Sequence, residues 1–145
     1  MEAKIIDVAL REYGNREIAG NQDEPEVMKY YHDIGHEWVA NDEVAWCAAF
    51  TNWVLKQAGY EMSEYAKRLS ARSFEGYGEE TFYPNAGDIV VLWRIEPDGP
   101  YGHVGFFIRE KDGYIYMLSG NQNNEVNIDK YPLARKLTYR KPVKI

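Results

Sequence analysis

The chain has 145 residues, of which 45% are hydrophobic, 14% aromatic and 28% charged, a composition that excludes a disordered or collagen-like protein and suits one folded core. Its 17 basic against 23 acidic residues leave a formal charge of -6, the wrong sign for a protein that gains affinity by neutralising phosphates, so nucleic acid is not an expected partner. The single cysteine, Cys47, rules out an internal disulfide and a multi-cysteine zinc site. No run of about 18 apolar residues is present, so no membrane insertion is expected. The opening MEAKIIDVALREYG lacks a basic-then-apolar leader, which predicts synthesis in the cytoplasm without a signal peptide.

Ile5, Ile6, Ala9, Leu10 and Tyr13 recur at helical spacing before Gly14, which predicts an amphipathic helix over Glu2 to Tyr13. A polar loop follows, and Pro25 starts a second helix that stops near Gly35. Val44 to Ala58 is apolar nearly all round for three turns and is closed by Gly59, the pattern of a buried central helix. Ser63 to Phe74 reads as a further helix, with Ala66, Leu69, Ala71 and Phe74 inward. From Asp88 the period becomes that of strands. Ile89 to Ile95 reads as a strand covered on both faces, and His103 to Arg109 and Tyr114 to Ser119 as a hairpin about Lys111, Asp112 and Gly113. Val126 to Ile128 and Lys136 to Arg140 are shorter strand candidates. Helices first and an antiparallel sheet after make a single α+β domain over residues 1–145, with no repeat or linker.

Cys47 stands near the start of the central helix, where the positive end of the macrodipole favours thiolate. Asp42 and Glu43 would oppose this if they faced the sulfur, or cap the helix amides instead. His103 opens a strand and shares a face with Gly105, which would leave space beside the imidazole. A general base needs a third group to fix its orientation, and the end of the next strand offers Ser119, Asn121 and Gln122. A three-residue hairpin loop sets His103 opposite Asn121, whereas a two-residue turn sets it opposite Gln122, and a bulge would shift either register. Both turns suit the sequence.

Other features take structural readings. His32 and His36 are four residues apart but have Gly35 between them and no third ligand, so no metal site is expected. The acidic pairs at 23, 24 and at 42, 43 suit turns and caps better than glycoside hydrolysis. Trp38, Trp53, Trp93 and most tyrosines read as core, while Trp46 beside the cysteine and Tyr101 before Gly102 are the candidates to line a substrate groove.

Together, DEVAWCAAFTNWVLKQAGY, ARSF at 71–74, PNAGDIVVLW at 84–93, GHVGFF at 102–107 and LSGNQ at 118–122 resemble the small phage and bacterial cell-wall hydrolases of the NlpC and CHAP type, which are papain-like cysteine amidases and endopeptidases. The resemblance runs over residues 3 to 142 and rests on the order and spacing of five segments. One departure is Ala45, where many relatives carry proline two residues before the cysteine. The resemblance implies a cysteine-bearing helix packed on the sheet, with Cys47 as nucleophile and His103 as base. It also favours Asn121 over Gln122 as the residue that holds the ring. It further implies a peptidoglycan substrate, cut in the stem peptide or at the amide joining that peptide to the glycan. An acyl-enzyme, an oxyanion held by amides at the helix start and no metal or organic cofactor complete the implied chemistry. Such a protein would reach the cell wall by release or dedicated secretion and act as a monomer. Two alternatives keep the scaffold: a non-catalytic wall-binding or phage structural component, and a cysteine-dependent effector acting on a host protein.

Overall fold

A computed structural model of the chain describes residues 2–15, 25–35, 46–64, 68–122 and 125–145. Three helices, α1 (Glu2–Leu10), α2 (Pro25–His32) and α3 (Cys47–Ala58), precede six strands, β1 (Glu79–Glu80), β2 (Ile89–Trp93), β3 (Gly102–Lys111), β4 (Tyr114–Gln122), β5 (Glu125–Pro132) and β6 (Lys136–Lys141). The strands form one antiparallel sheet in the order β1-β6-β2-β3-β4-β5, so the fold is α+β as the sequence predicts. The last strand returns to pair with β2, which places β2 and β3 in the middle of the sheet.

Alternation along the strands produces two apolar faces. Ile89, Val91, Val104, Phe106 and Leu118 meet Phe50, Val54 and Leu55 of α3 in one core, while Val90, Leu92, Phe107, Ile115, Met117 and Tyr139 form a second. Ile89 to Leu92 are all fully buried, which explains why β2 shows no polar alternation. At its C-terminus α3 stops at Gly59, whose φ of 87° permits the left-handed turn. The Gly59 and Tyr60 amides then donate to the carbonyls of Lys56 and Leu55.

Two expected elements differ. Instead of a helix from Ser63, the chain is pinned by Asn52 of α3: Asn52 Oδ1 accepts from Ser63 N–H at 2.8 Å, and its amide donates to Ser63 Oγ and the Arg68 carbonyl. Side-chain bonds to the backbone compete with helix, and among the described residues of this segment a 3₁₀ turn forms, over Ala71–Gly76. It points Arg72 at the carbonyls of Glu96, Pro97 and Tyr101, which ties down the loop leading into β3. The strand expected to reach Ile95 ends at Trp93. Ile95 is exposed at φ 70°, the centre of a tight turn closed by Glu96 N–H donating to the Arg94 carbonyl.

Candidate active site

Cys47 is the first residue of α3, after Trp46 as N-cap. Among the described residues no side chain caps this end, and no acid stands in the first turn, so the leading amides present their N–H groups to the sulfur or to an incoming oxyanion. The thiol is buried, and desolvation raises its pKa. Against that act the Val104 N–H, the charge of Arg94 and the amides of Ala48 and Cys47. The helix-end effect expected from the sequence is thus present, but burial outweighs it, and the resting group is a thiol rather than a thiolate.

His103 is fully buried and its Nε2 lies 3.0 Å from Gln122 Oε1. The orientation of that amide follows from its other end, where Gln122 Nε2 donates to Asn127 O and to Asn127 Oδ1, each at 2.8 Å. With both amide hydrogens engaged, Oε1 faces the ring, so the proton of the neutral imidazole sits on Nε2 and the lone pair on Nδ1. Burial pushes the pKa of His103 down to about 4, against a smaller upward pull from Gln122; Arg94 and Arg135 lower it further. At neutral pH the ring is an uncharged base.

Gln122, rather than the Asn121 that the resemblance favoured, therefore holds the ring. The hairpin closes with the two-residue turn: Asp112 and Gly113 take φ of 54° and 80°, and Lys111 faces Tyr114. A register shift between Phe107 and Arg109 then sets Phe106 opposite Leu118. A second irregularity falls between Ser119 and Gln122, where Asn121 stands at φ 61°. Asn121 makes no side-chain hydrogen bond among the described residues. The space that Gly105 was expected to leave for the imidazole is used otherwise, since a Cβ there would lie 2.5 Å from Ser119 Cβ and 2.7 Å from Met117 Cε.

Of the aromatic candidates, Trp46 is fully buried, stacked on Tyr30 with ring centroids 5.9 Å apart, and backed by Gly120. It is a core residue. Tyr101 is 60% exposed, and its carbonyl accepts from the backbone N–H of Arg94. His32 ends α2, and among the described residues no three His, Cys, Asp or Glu side chains are grouped to hold a metal. Asp23, Glu24, His36, Trp38, Asp42, Glu43 and Ala45 lie outside the described residues.

Sequence reading missed Arg94, Tyr131 and Arg135. Arg94 Nη2 stands 3.5 Å from His103 Nδ1, and the Tyr131 ring lies 5.3 Å from the imidazole at 48°. The Arg135 guanidinium sits over the rings of Tyr131 and Trp93. No hydrogen bond joins the Cys47 thiol to His103. The helix packs on β3, and the backbone of Val104, one residue along from the histidine, pulls the Cys47 pKa down against burial.

The CHAP domain family matches residues 39–121. No curated protein matches the sequence significantly. Among solved structures the chain is similar to NlpC1 from Trichomonas vaginalis, with a TM-score of 0.55 and 16% identity over 97% of this chain and 43% of that one. It is similar also to a lipoprotein-like protein of the NLP/P60 family from Staphylococcus aureus, with a TM-score of 0.53 and 17% identity over 97% of this chain and 41% of that one. Ly7917 matches with a TM-score of 0.50 and 14% identity over 98% of this chain and 62% of that one. The chain thus spans less than half the length of the first two. At these identities the likeness speaks for the fold, which is papain-like in the NlpC/P60 manner.

Proposed function

The chain belongs to the CHAP domain family, typically hydrolases of the cysteine peptidase and amidase kind, and from this premise we propose that it cleaves an amide bond of peptidoglycan with Cys47 as nucleophile. The observation that carries the reading is a thiol at the first residue of α3, a helix packed against β3, whose buried neutral His103 has its lone pair directed by Gln122. The catalytic domain is taken as the whole of residues 1–145.

The thiol proton passes to His103 Nδ1 as Arg94 Nη2 withdraws from that nitrogen, and the sulfur adds to the amide carbonyl carbon. Negative charge develops on the carbonyl oxygen, within reach of the Cys47 N–H at the helix start. Collapse breaks the C–N bond, and Nδ1 returns the proton to the leaving amine, which gives a thioester on Cys47. Water then adds with His103 again as base, releasing the carboxylic acid and restoring the thiol. Throughout, Gln122 Oε1 accepts from Nε2–H and keeps the other nitrogen on the reacting side. Tyr101, exposed before β3, is the aromatic available to a sugar or peptide.

The test is digestion of purified peptidoglycan by the wild type and Cys47→Ala, with mass analysis of the soluble fragments. Each cut should appear as one new amine and one new carboxylate, and only with the wild type. Intact peptidoglycan, or equal release by the variant, would overturn the proposal.

A further inference from the structure

Two arginines, Arg94 and Arg135, act on His103, and among the described residues no carboxylate forms an ion pair with either. Arg72, by contrast, is satisfied by the fold, since it bonds three carbonyls and pairs with Glu75. Among the described residues the Arg94 guanidinium has only His103 Nδ1, at 3.5 Å, and a cation makes a poor neighbour for the lone pair of a base. Arg135 uses Nε on the Trp93 carbonyl at 3.1 Å, which leaves its terminal amino groups without a hydrogen-bond partner among the described residues. Neither arginine forms an ion pair among the described residues. Asp129 acts on nearby Tyr131, but its carboxylate bonds the Lys130 amide and salt-bridges neither arginine. Both arginines are half-buried residues, in a chain whose overall charge is -6. The Tyr131 ring lies 5.3 Å from the His103 ring and has the Arg135 guanidinium 5.5 Å from its centroid.

Guanidinium groups left unpaired beside a nucleophile fit a carboxylate, whose two oxygens match the planar fork of N–H donors. We propose that Arg94 and Arg135 form a carboxylate-binding subsite, so that the enzyme selects peptides bearing a free carboxylate next to the scissile amide. The inference rests on the reading of Cys47 as the nucleophile, and it names the substrate class that this site takes. A substrate carboxylate also supplies the counter-ion that draws Arg94 off Nδ1, which frees the base for the thiol proton when substrate is bound.

The test compares alkylation of Cys47 by iodoacetate and by iodoacetamide, reagents of similar size that differ in carrying a carboxylate or a neutral amide. The ratio of the two rates cancels changes in the thiol itself and reports only how the site receives the negative charge. Rates are read by mass analysis of the Cys47 peptide at pH 8, for the wild type, Arg94→Gln/Arg135→Gln and Arg135→Lys. The iodoacetate-to-iodoacetamide ratio should fall about tenfold or more in the double glutamine variant and stay near the wild-type value in Arg135→Lys. A merely structural role would slow both reagents alike. An unchanged ratio overturns the subsite even if the wild type digests peptidoglycan, and Cys47 unreactive to both reagents overturns it with the cysteine mechanism. A ratio that falls while peptidoglycan stays intact supports the subsite and redirects the search to other carboxylate-bearing amides.

Discussion

His103 Nε2 is held 3.0 Å from Gln122 Oε1, and the glutamine is itself locked by two hydrogen bonds to Asn127. This relationship fixes the tautomer of the base, and so fixes which nitrogen can take the thiol proton. Gln122→Ala should lower turnover on a stem-peptide substrate by about tenfold to a thousandfold with the fold retained, whereas Asn121→Ala should do much less. The reverse order would return the orienting role to Asn121.

Gln122→Glu places a carboxylate where the neutral amide stood. The added charge favours the imidazolium and raises the His103 pKa from its value of about 4. In the wild type kcat/KM should hold well below pH 6.5 before its acid limb is reached, and in Gln122→Glu that limb should move to higher pH. A pH–rate profile for the two proteins decides this, and coincident acid limbs would contradict the assignment.

Stability follows the same group. With a folded pKa of about 4 against an ordinary 6.5, the unfolded chain binds the proton between these values and the folded chain does not. This contribution is complete above pH 6.5 and is lost as pH falls towards 4, a change of about 3 kcal/mol. Urea unfolding across pH 4 to 7 should show the decline in the wild type, and His103→Gln should lack that part of it while retaining the part due to carboxylates.

Because burial raises the Cys47 pKa, iodoacetamide should modify Cys47 more slowly than a free thiol at mildly acidic and neutral pH. Faster labelling would show that the helix amides and Arg94 outweigh desolvation.

Much of the fold was legible because apolar spacing is dictated by burial. α1, α2 and α3 lie within the predicted spans, and Gly59 takes the positive φ that ends α3, while Gly14 and Gly35, also at positive φ, follow the ends of α1 and α2. The segment after Ser63 was not legible, because its conformation is set by Asn52, 11 residues earlier on another element. The places of Cys47 at a helix start and of His103 at a strand start were legible from the apolar patterns around them. The choice between Asn121 and Gln122 depended on two register shifts with no local sequence signal beyond Gly120. Arg94 left a trace, as the one charge inside the run from Ile89 to Ile95. Arg135 left none, since the reach of its side chain to Tyr131 and Trp93 is a product of the way β5 and β6 return to the sheet.

The thioester is the species on which the whole account turns. A stem-peptide digest quenched in acid during turnover, then proteolysed, should show the peptide containing Cys47 heavier by the acyl half of the substrate in the wild type. The Cys47→Ala protein should show neither adduct nor turnover. Turnover that survives in Cys47→Ala, or an acyl group found on another residue, would contradict the assignment of Cys47 as the nucleophile.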